Sequence, residues 1–496
     1  MQRFFEVVPG ALSWATLFLI VFLSWQQPVW AAIFIIVFDT YWLLKTIYLT
    51  LHLRASFLQM RAHMKIDWFA RLRAESKTWE PIHHLVILPF FHESYEVIEE
   101  SFQSLLKSNY PKDKLIVVLA AEEQAGESAL ITAKKIEQQF GKQFGDFLVT
   151  THPMNRVGEI PGKGSNETWA AQAVKRAVID PKKIPYEQII VSVFDVDTQV
   201  YANYFGCLTY HFLTAEKPQR SSFQPIPLFM NNIYEAPALA RVVALSTTFW
   251  QMMQQSRPER LTTFSSHSMP FRALVEIGYW QTDVVSEDSR IFWQCYLHYN
   301  GDWRVVPLFY PVSMDANVAP TFCGTLKNLY KQQRRWGYGV ENLPYLLSGF
   351  QTNTAIPRRW KWFWSFISVE GFHSWATNVL IISLLGWLPI LIGGGNFGAT
   401  VLAYKLPVIT SWVIRLSNVG IISSAILTLL LLPAPPEKFR KRDYFWYLLQ
   451  WFLMPLTLIV FGAIPALEAQ TRLMLGGKWR LGFWVTPKSR RIANGE

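Results

Sequence analysis

Two apolar runs open this chain, residues 11–25 and residues 30–53, and a polar break at Gln26-Gln27-Pro28 separates them. Each run with its flanks approaches the roughly 20 residues that a helix needs to cross a bilayer. The second follows the first at once and no small-residue cleavage site is persuasive, so the pair reads as a membrane hairpin rather than a cleaved leader. Toward the other end, residues 373–393 and 416–432 are strong spans and residues 399–414 form a weaker apolar stretch between them. Residues 444–465 are a further candidate, interrupted by Pro455 and Gly462. Concentration at the two ends explains why a chain of 496 residues is 51% hydrophobic and 15% aromatic, rich for a soluble protein.

The net charge of +11 invites a nucleic-acid reading, but its location argues otherwise. Arg54, Arg61, Lys65, Arg71 and Arg73 follow the second span, Arg358, Arg359 and Lys361 precede the third, and Lys438, Arg440, Lys441 and Arg442 follow the fourth. This is the positive-inside pattern. It predicts an integral protein of the plasma (inner) membrane, with the middle of the chain in the cytoplasm and no nucleic-acid partner. Cys207, Cys295 and Cys323 show no paired or metal-like spacing and would stay reduced there.

Between residues 81 and 345 the composition becomes that of an α/β domain. Strands are expected at residues 84–90, 115–120, 147–150 and 188–194, alternating with helices at 94–108, 128–140 and 166–179. Such alternation implies a mostly parallel sheet with ligands at its carboxyl edge. In both linkers aromatic or apolar residues stand among basic ones: Phe57, Met60, Met64, Trp68 and Leu72 at helical spacing, then Trp360, Trp362, Phe363 and Trp364. That pattern predicts interfacial helices clamping the domain to the membrane. Ordinary packing on the domain is the alternative.

The strand at 188–194 runs into Asp195-Val196-Asp197, whose alternation places both carboxylates on one side of the chain, as a site for Mg²⁺ or Mn²⁺ with a diphosphate requires. Gly162-Lys163-Gly164 opens a helix, so backbone N–H groups and one ammonium would face the same diphosphate. Glu287-Asp288 lies in a polar turn before an apolar helix from Ile291, and Gln332, Arg335 and Trp336 fall at i, i+3 and i+4, one side of a helix. Ser265-Ser266-His267-Ser268 is a polar run from which His267 could reach an acceptor. Asp39 and Lys45, within the second span, read either as contacts to a translocating glycan or as interfacial anchors.

DxD, the acidic pair and QxxRW, in that order between membrane spans, resemble the membrane-embedded family 2 glycosyltransferases, which include cellulose, chitin and hyaluronan synthases. The resemblance covers residues 85–338 and, in part, the C-terminal Phe483-Trp-Val-Thr-Pro-Lys488. It implies a GT-A fold, a Rossmann-like mixed sheet, in a cytosolic domain carried on transmembrane and interfacial helices. It implies Asp288 as the base for an inverting transfer, with Glu287 beside it, and Pro89, Glu93 and Glu122 at the nucleotide. Many members have an Asp where this chain has Glu122. Asp195 and Asp197 would hold the metal, Arg335 would lie near the diphosphate, and Gln332, Trp336 and His267 would line the acceptor site. The donor would be a nucleotide diphosphate sugar, UDP-linked, and the acceptor a growing polysaccharide. A single transfer to a membrane lipid is the alternative, and a catalytically dead membrane scaffold the reading outside enzymes.

The expected organisation is a transmembrane hairpin at 1–53, an interfacial linker at 54–80 and a transferase domain at 81–345. A second interfacial helix at 346–372, membrane helices at 373–475 and a cytosolic or gating-loop-like tail at 476–496 complete it. A full span at 444–465 would export that tail, so a re-entrant or interfacial path is the alternative there.

Overall fold

The computed structural model describes residues 1–75, 78–437 and 439–487. Lys438 of the basic loop, Lys488 at the end of the C-terminal motif and the remainder of the tail lie outside these.

Eight strands form one sheet: β1 (His83–Phe90), β2 (Leu115–Glu122), β3 (Asp146–His152), β4 (Ile189–Val193), β5 (Gln199–Val200), β6 (Ser221–Phe229), β7 (Ser268–Pro270) and β8 (Arg304–Met314). Their order is β3-β2-β1-β4-β7-β6-β8-β5. The half from β3 to β4 is parallel, and β7 joins both β4 and β6 antiparallel. Helices cover both faces, so the central strand β2 is apolar and buried from Leu115 to Ala121. Val86, Leu88 and Phe90 of β1 enter one core with Ile98 and Phe102, whereas Leu85 and Ile87 enter the other with Ala170, Val174 and Ile291. A side-chain period of two sorts them. The result is a mixed GT-A sheet. The chain leaves β1 for β2 on one side and returns as β4 on the other, which opens a crevice at their carboxyl ends.

Among the described residues four helices, Gln2–Gln26, Pro28–His63, Val401–Leu431 and Lys441–Leu475, are long and apolar enough to cross a membrane. Arg358–Ser383 with Leu385–Ile392 forms a fifth candidate, bent by 46°. The two stretches expected at 399–414 and 416–432 form a single helix, which continues through Pro407. Within the bundle Lys45 of the second span pairs with Glu370 of the helix Arg358–Ser383.

The stripe expected in the headgroup region is used differently. Phe57 and Met60 pack with Ile226, Leu228 and Val242 of the α/β domain, and Trp68 and Leu72 join the core beneath β1. Met60, Trp68 and Leu72 are 1%, 2% and 0% exposed, so these residues do not face lipid. The second linker is mixed: Trp364 packs on Phe292 and Trp293, while Trp362 and Phe366 remain exposed.

The run Lys441–Leu475 touches the α/β domain along its length. Arg241 donates to Gln450 Oε1 at 2.7 Å, Trp451 stacks on Phe249 with centroids 5.7 Å apart, and Arg334 pairs with Glu468 at 2.7 Å. A Cβ on Gly337 would stand 3.1 Å from Ala466 Cα, so only glycine permits that approach without a shift.

Candidate active site

Four carboxylates converge on one ammonium at the carboxyl edge of the sheet. Lys163 Nζ lies 2.9 and 3.0 Å from the two oxygens of Asp288, 3.0 Å from Asp195, 3.6 Å from Glu167 and 4.0 Å from Glu287. Lys163 opens the helix Lys163–Val174, which Asn166 anchors by donating to the Ala120 carbonyl of β2 at 2.8 Å. Gly164 permits the close approach: a Cβ there would meet Glu287 Cβ at 3.0 Å. Glu287 and Asp288 form the first turn of the helix Glu287–His298 rather than the polar turn expected before it. Half-buried Glu341 shapes the entry to that turn, its Oε1 accepting from the amides of Val285 and Ser286, both at 2.9 Å.

Burial alone would lower the Lys163 ammonium, but Asp195, Asp288, Glu167 and Glu287 hold it well above the usual lysine range. Burial pushes the Glu287 carboxyl up to about 8, reinforced by Asp288 and opposed by Lys163 and Arg335. It also raises Glu167, whose oxygens have no hydrogen-bond partner. Even with Glu287 and Glu167 held toward their neutral forms, Asp195 and Asp288 face a single ammonium, which leaves the site short of positive charge. Glu167, Glu287 and Asp288 also offer oxygens within 4.8 Å of one another, so the donor set suits a hard divalent cation.

The two DxD carboxylates differ. Asp195 is held by Ser265, whose Oγ donates at 3.0 Å, and its side chain is 28% exposed. Asp197 is 1% exposed and accepts from the Asp315 amide at 3.0 Å. Asn231 bridges the Asp197 carbonyl and Asp315 Oδ1, at 2.8 and 3.0 Å. His267 is buried, not open to an acceptor: its Nδ1 lies 3.7 Å from Asp288 and 3.1 Å from the Phe264 carbonyl, and burial pushes it down to about 4.

Gln332, Arg335 and Trp336 share the helix Phe322–Gly337. Arg335 lies 4.8 Å over the Phe483 ring, and Lys331 5.1 Å over Trp484. Phe483 in turn fills the space above Gly162, where a Cβ would come within 2.5 Å of the ring. Trp336 leans on Phe229 and Phe264 and stays partly exposed, and Gln332 stands 3.5 Å from Asn317. Pro89, Glu93 and Glu122 form a separate group at the ends of β1 and β2. There Glu93 accepts from the Phe91 amide at 2.7 Å, and burial first and Glu93 last raise Glu122.

Sequence reasoning missed Glu167 and Asp315. Glu167 stands one helical turn after Lys163, a spacing that marks a shared face. Asp315 follows β8 with no spacing signal.

Residues 190–466 match the family model described as Glycosyl transferase family group 2. Comparison with curated proteins gives no match. Among solved structures, the mannosyltransferase PcManGT from Pyrobaculum calidifontis, in complex with GDP-Man and Mn2+, is 14% identical at a TM-score of 0.40, over 82% of this chain and 99% of that one. S. aureus TarS is 12% identical at a TM-score of 0.36, over 68% of this chain and 54% of that one. Its segment 1–349 in complex with UDP-GlcNAc is 12% identical at a TM-score of 0.36, over 70% and 91%.

Proposed function

The chain belongs to glycosyl transferase family group 2, and from that premise we propose that it moves a sugar, with inversion, from a UDP-sugar to a growing polysaccharide at a membrane. The observation that carries the reading is the convergence of Asp288, Asp195 and Lys163 at the sheet's carboxyl edge, beside the helix bearing Gln332, Arg335 and Trp336. Asp288 takes the proton of the acceptor hydroxyl, which is far too weak an acid to ionise unaided near neutral pH. The freed oxygen forms a bond to the anomeric carbon as the bond to the diphosphate breaks on the opposite face. The nucleoside diphosphate leaves with the bonding pair.

Asp197 and Asp195 would hold Mg²⁺ or Mn²⁺, whose charge offsets that developing on the leaving diphosphate. Lys163 sits on both oxygens of Asp288. A diphosphate entering beside Asp195 competes for that ammonium and uncovers the base. Arg335 offers a second cation, and Trp336, partly exposed, a flat face for a sugar ring.

The path of the chain supports one sidedness. Phe483 contacts Gly162 and Arg335, so the chain crosses the bilayer an even number of times between the α/β domain and the tail. On this reading the helix Arg358–Ser383 with its bent continuation would go out and Val401–Leu431 return, while Lys441–Leu475, though apolar enough to cross, would follow the domain surface that it touches. The basic flanks support a cytoplasmic domain and tail.

Incubating the purified protein with a panel of radiolabelled nucleotide sugars, then sizing the products, tests this. Long chains from a UDP-sugar are expected. A single glycolipid bearing one added sugar at saturating donor would assign the protein to lipid transfer instead.

A further inference from the structure

Away from the sugar-transfer site, three ligand-type side chains from distant parts of the chain converge. His63 is the last residue of the helix Pro28–His63, and Cys207 and His211 stand one turn apart on the helix Tyr204–Thr214. The ligand atoms these three residues offer lie within 4.8 Å of one another. An i, i+4 spacing puts thiol and imidazole on one helix face.

Each imidazole is already oriented through Nδ1. That of His63 meets the Leu308 carbonyl at 2.9 Å, and that of His211 meets the Cys207 carbonyl at 2.8 Å and lies 3.5 Å from the Cys207 Sγ. A carbonyl only accepts, so each Nδ1 carries the hydrogen and each Nε2 keeps its lone pair, the arrangement found behind metal-ligating histidines. Trp68 walls the group, its ring centroid 5.1 Å from both imidazoles and its Nε1 donating to the His63 carbonyl at 2.9 Å. The neighbouring cation, Arg71, is engaged by Glu75 at 2.7 Å and Tyr210 at 2.9 Å.

We propose that His63, Cys207 and His211 bind a divalent cation of the zinc class, pinning the domain end of the second membrane helix to the helix Tyr204–Thr214. Two imidazoles and a sulfur suit Zn²⁺ and not Mg²⁺ or Mn²⁺, and three protein ligands leave a fourth position for water. Burial holds the Cys207 thiol in its protonated form. On binding, the S–H proton goes to solvent and the sulfur pair forms the metal bond.

The test uses the full chain without any affinity tag, stripped by chelator and titrated with Co²⁺. One equivalent should produce a thiolate-to-cobalt charge-transfer band in the near ultraviolet. Cys207→Ser should lose that band, and His63→Ala or His211→Ala should weaken Co²⁺ binding by about tenfold or more. Asp197→Ala should keep the band, which separates this site from carboxylates at the donor. Zn²⁺ should raise the Tm of stripped wild type and not that of Cys207→Ser. Absence of the band in wild type, or its survival in Cys207→Ser, overturns the proposal whatever the variants' own folding.

Discussion

The two walls of the candidate active site are built on opposite principles. On one, Lys163, Glu167, Glu287, Asp288 and Asp195 are held by one another's charge, and three of them are under 9% exposed. On the other, Arg335, Lys331, Phe483 and Trp484 meet through cation–π contacts, and the helix beneath them is braced from outside the α/β domain by Glu468 and Ala466. In low dielectric a charge network resists rearrangement until another ion enters, whereas cation–π contacts at a partly exposed edge contribute only about 0.5–1 kcal/mol each. The first wall is thus suited to chemistry that waits for a charged donor. The second would suit, on the proposed function, a product that slides between additions.

The sharpest break between the walls comes from Asp288→Asn. Transfer should fall by about 10²–10⁴-fold, the usual worth of a general base, while donor affinity measured by calorimetry stays near wild type. Transfer at near wild-type rate would remove Asp288 from the role. Next in size, Asp197→Ala should lower metal-dependent donor affinity by about 10–100-fold, and it also removes the acceptor for the Asp315 amide. Undiminished activity in excess chelator would show that the charged wall works without a metal.

Trp336→Ala addresses the second wall. Loss of a stacking face costs about 0.5–1.5 kcal/mol, or roughly 2- to 10-fold, so products should shorten while acceptor-independent hydrolysis of the donor survives. Unchanged chain length with reduced hydrolysis would put Trp336 on the donor side instead. The smallest effect is expected from Gly162→Ala, which displaces Phe483 and strains a residue at φ +153°. A few-fold change in rate should match that of Phe483→Ala, and the two together should not add, since the residues share one contact. Additive effects would mean that Phe483 acts elsewhere.

Much of the charged wall was legible because each part had a local signature: two carboxylates at i and i+2 after an apolar strand, and a glycine-flanked lysine opening a helix. Glu167 was overlooked because a glutamate inside a helix resembles any solvated one until its burial is known. The amphipathic stripe from Phe57 to Leu72 was misread for a deeper reason. Apolar residues at helical spacing beside arginines satisfy a lipid surface and a protein surface equally, and the sequence does not say which partner arrives. The sheet was easier, since Leu85 to Phe90 alternate between two cores that both want apolar residues.

The apolar cluster that Phe57 and Met60 form with Ile226 and Leu228 crosses the line at which composition changes from membrane-like to globular. Leu53, Phe57 and Met60 from one side of the chain and Trp451 and Phe461 from the other bury against Ile226, Leu228, Val242 and Phe249. Excising residues 81–345 would uncover that shared surface and leave Gly337 and Arg334 without the segment that braces them. The α/β domain is therefore not separable at its apparent seams without exposing apolar surface that the flanking helices bury.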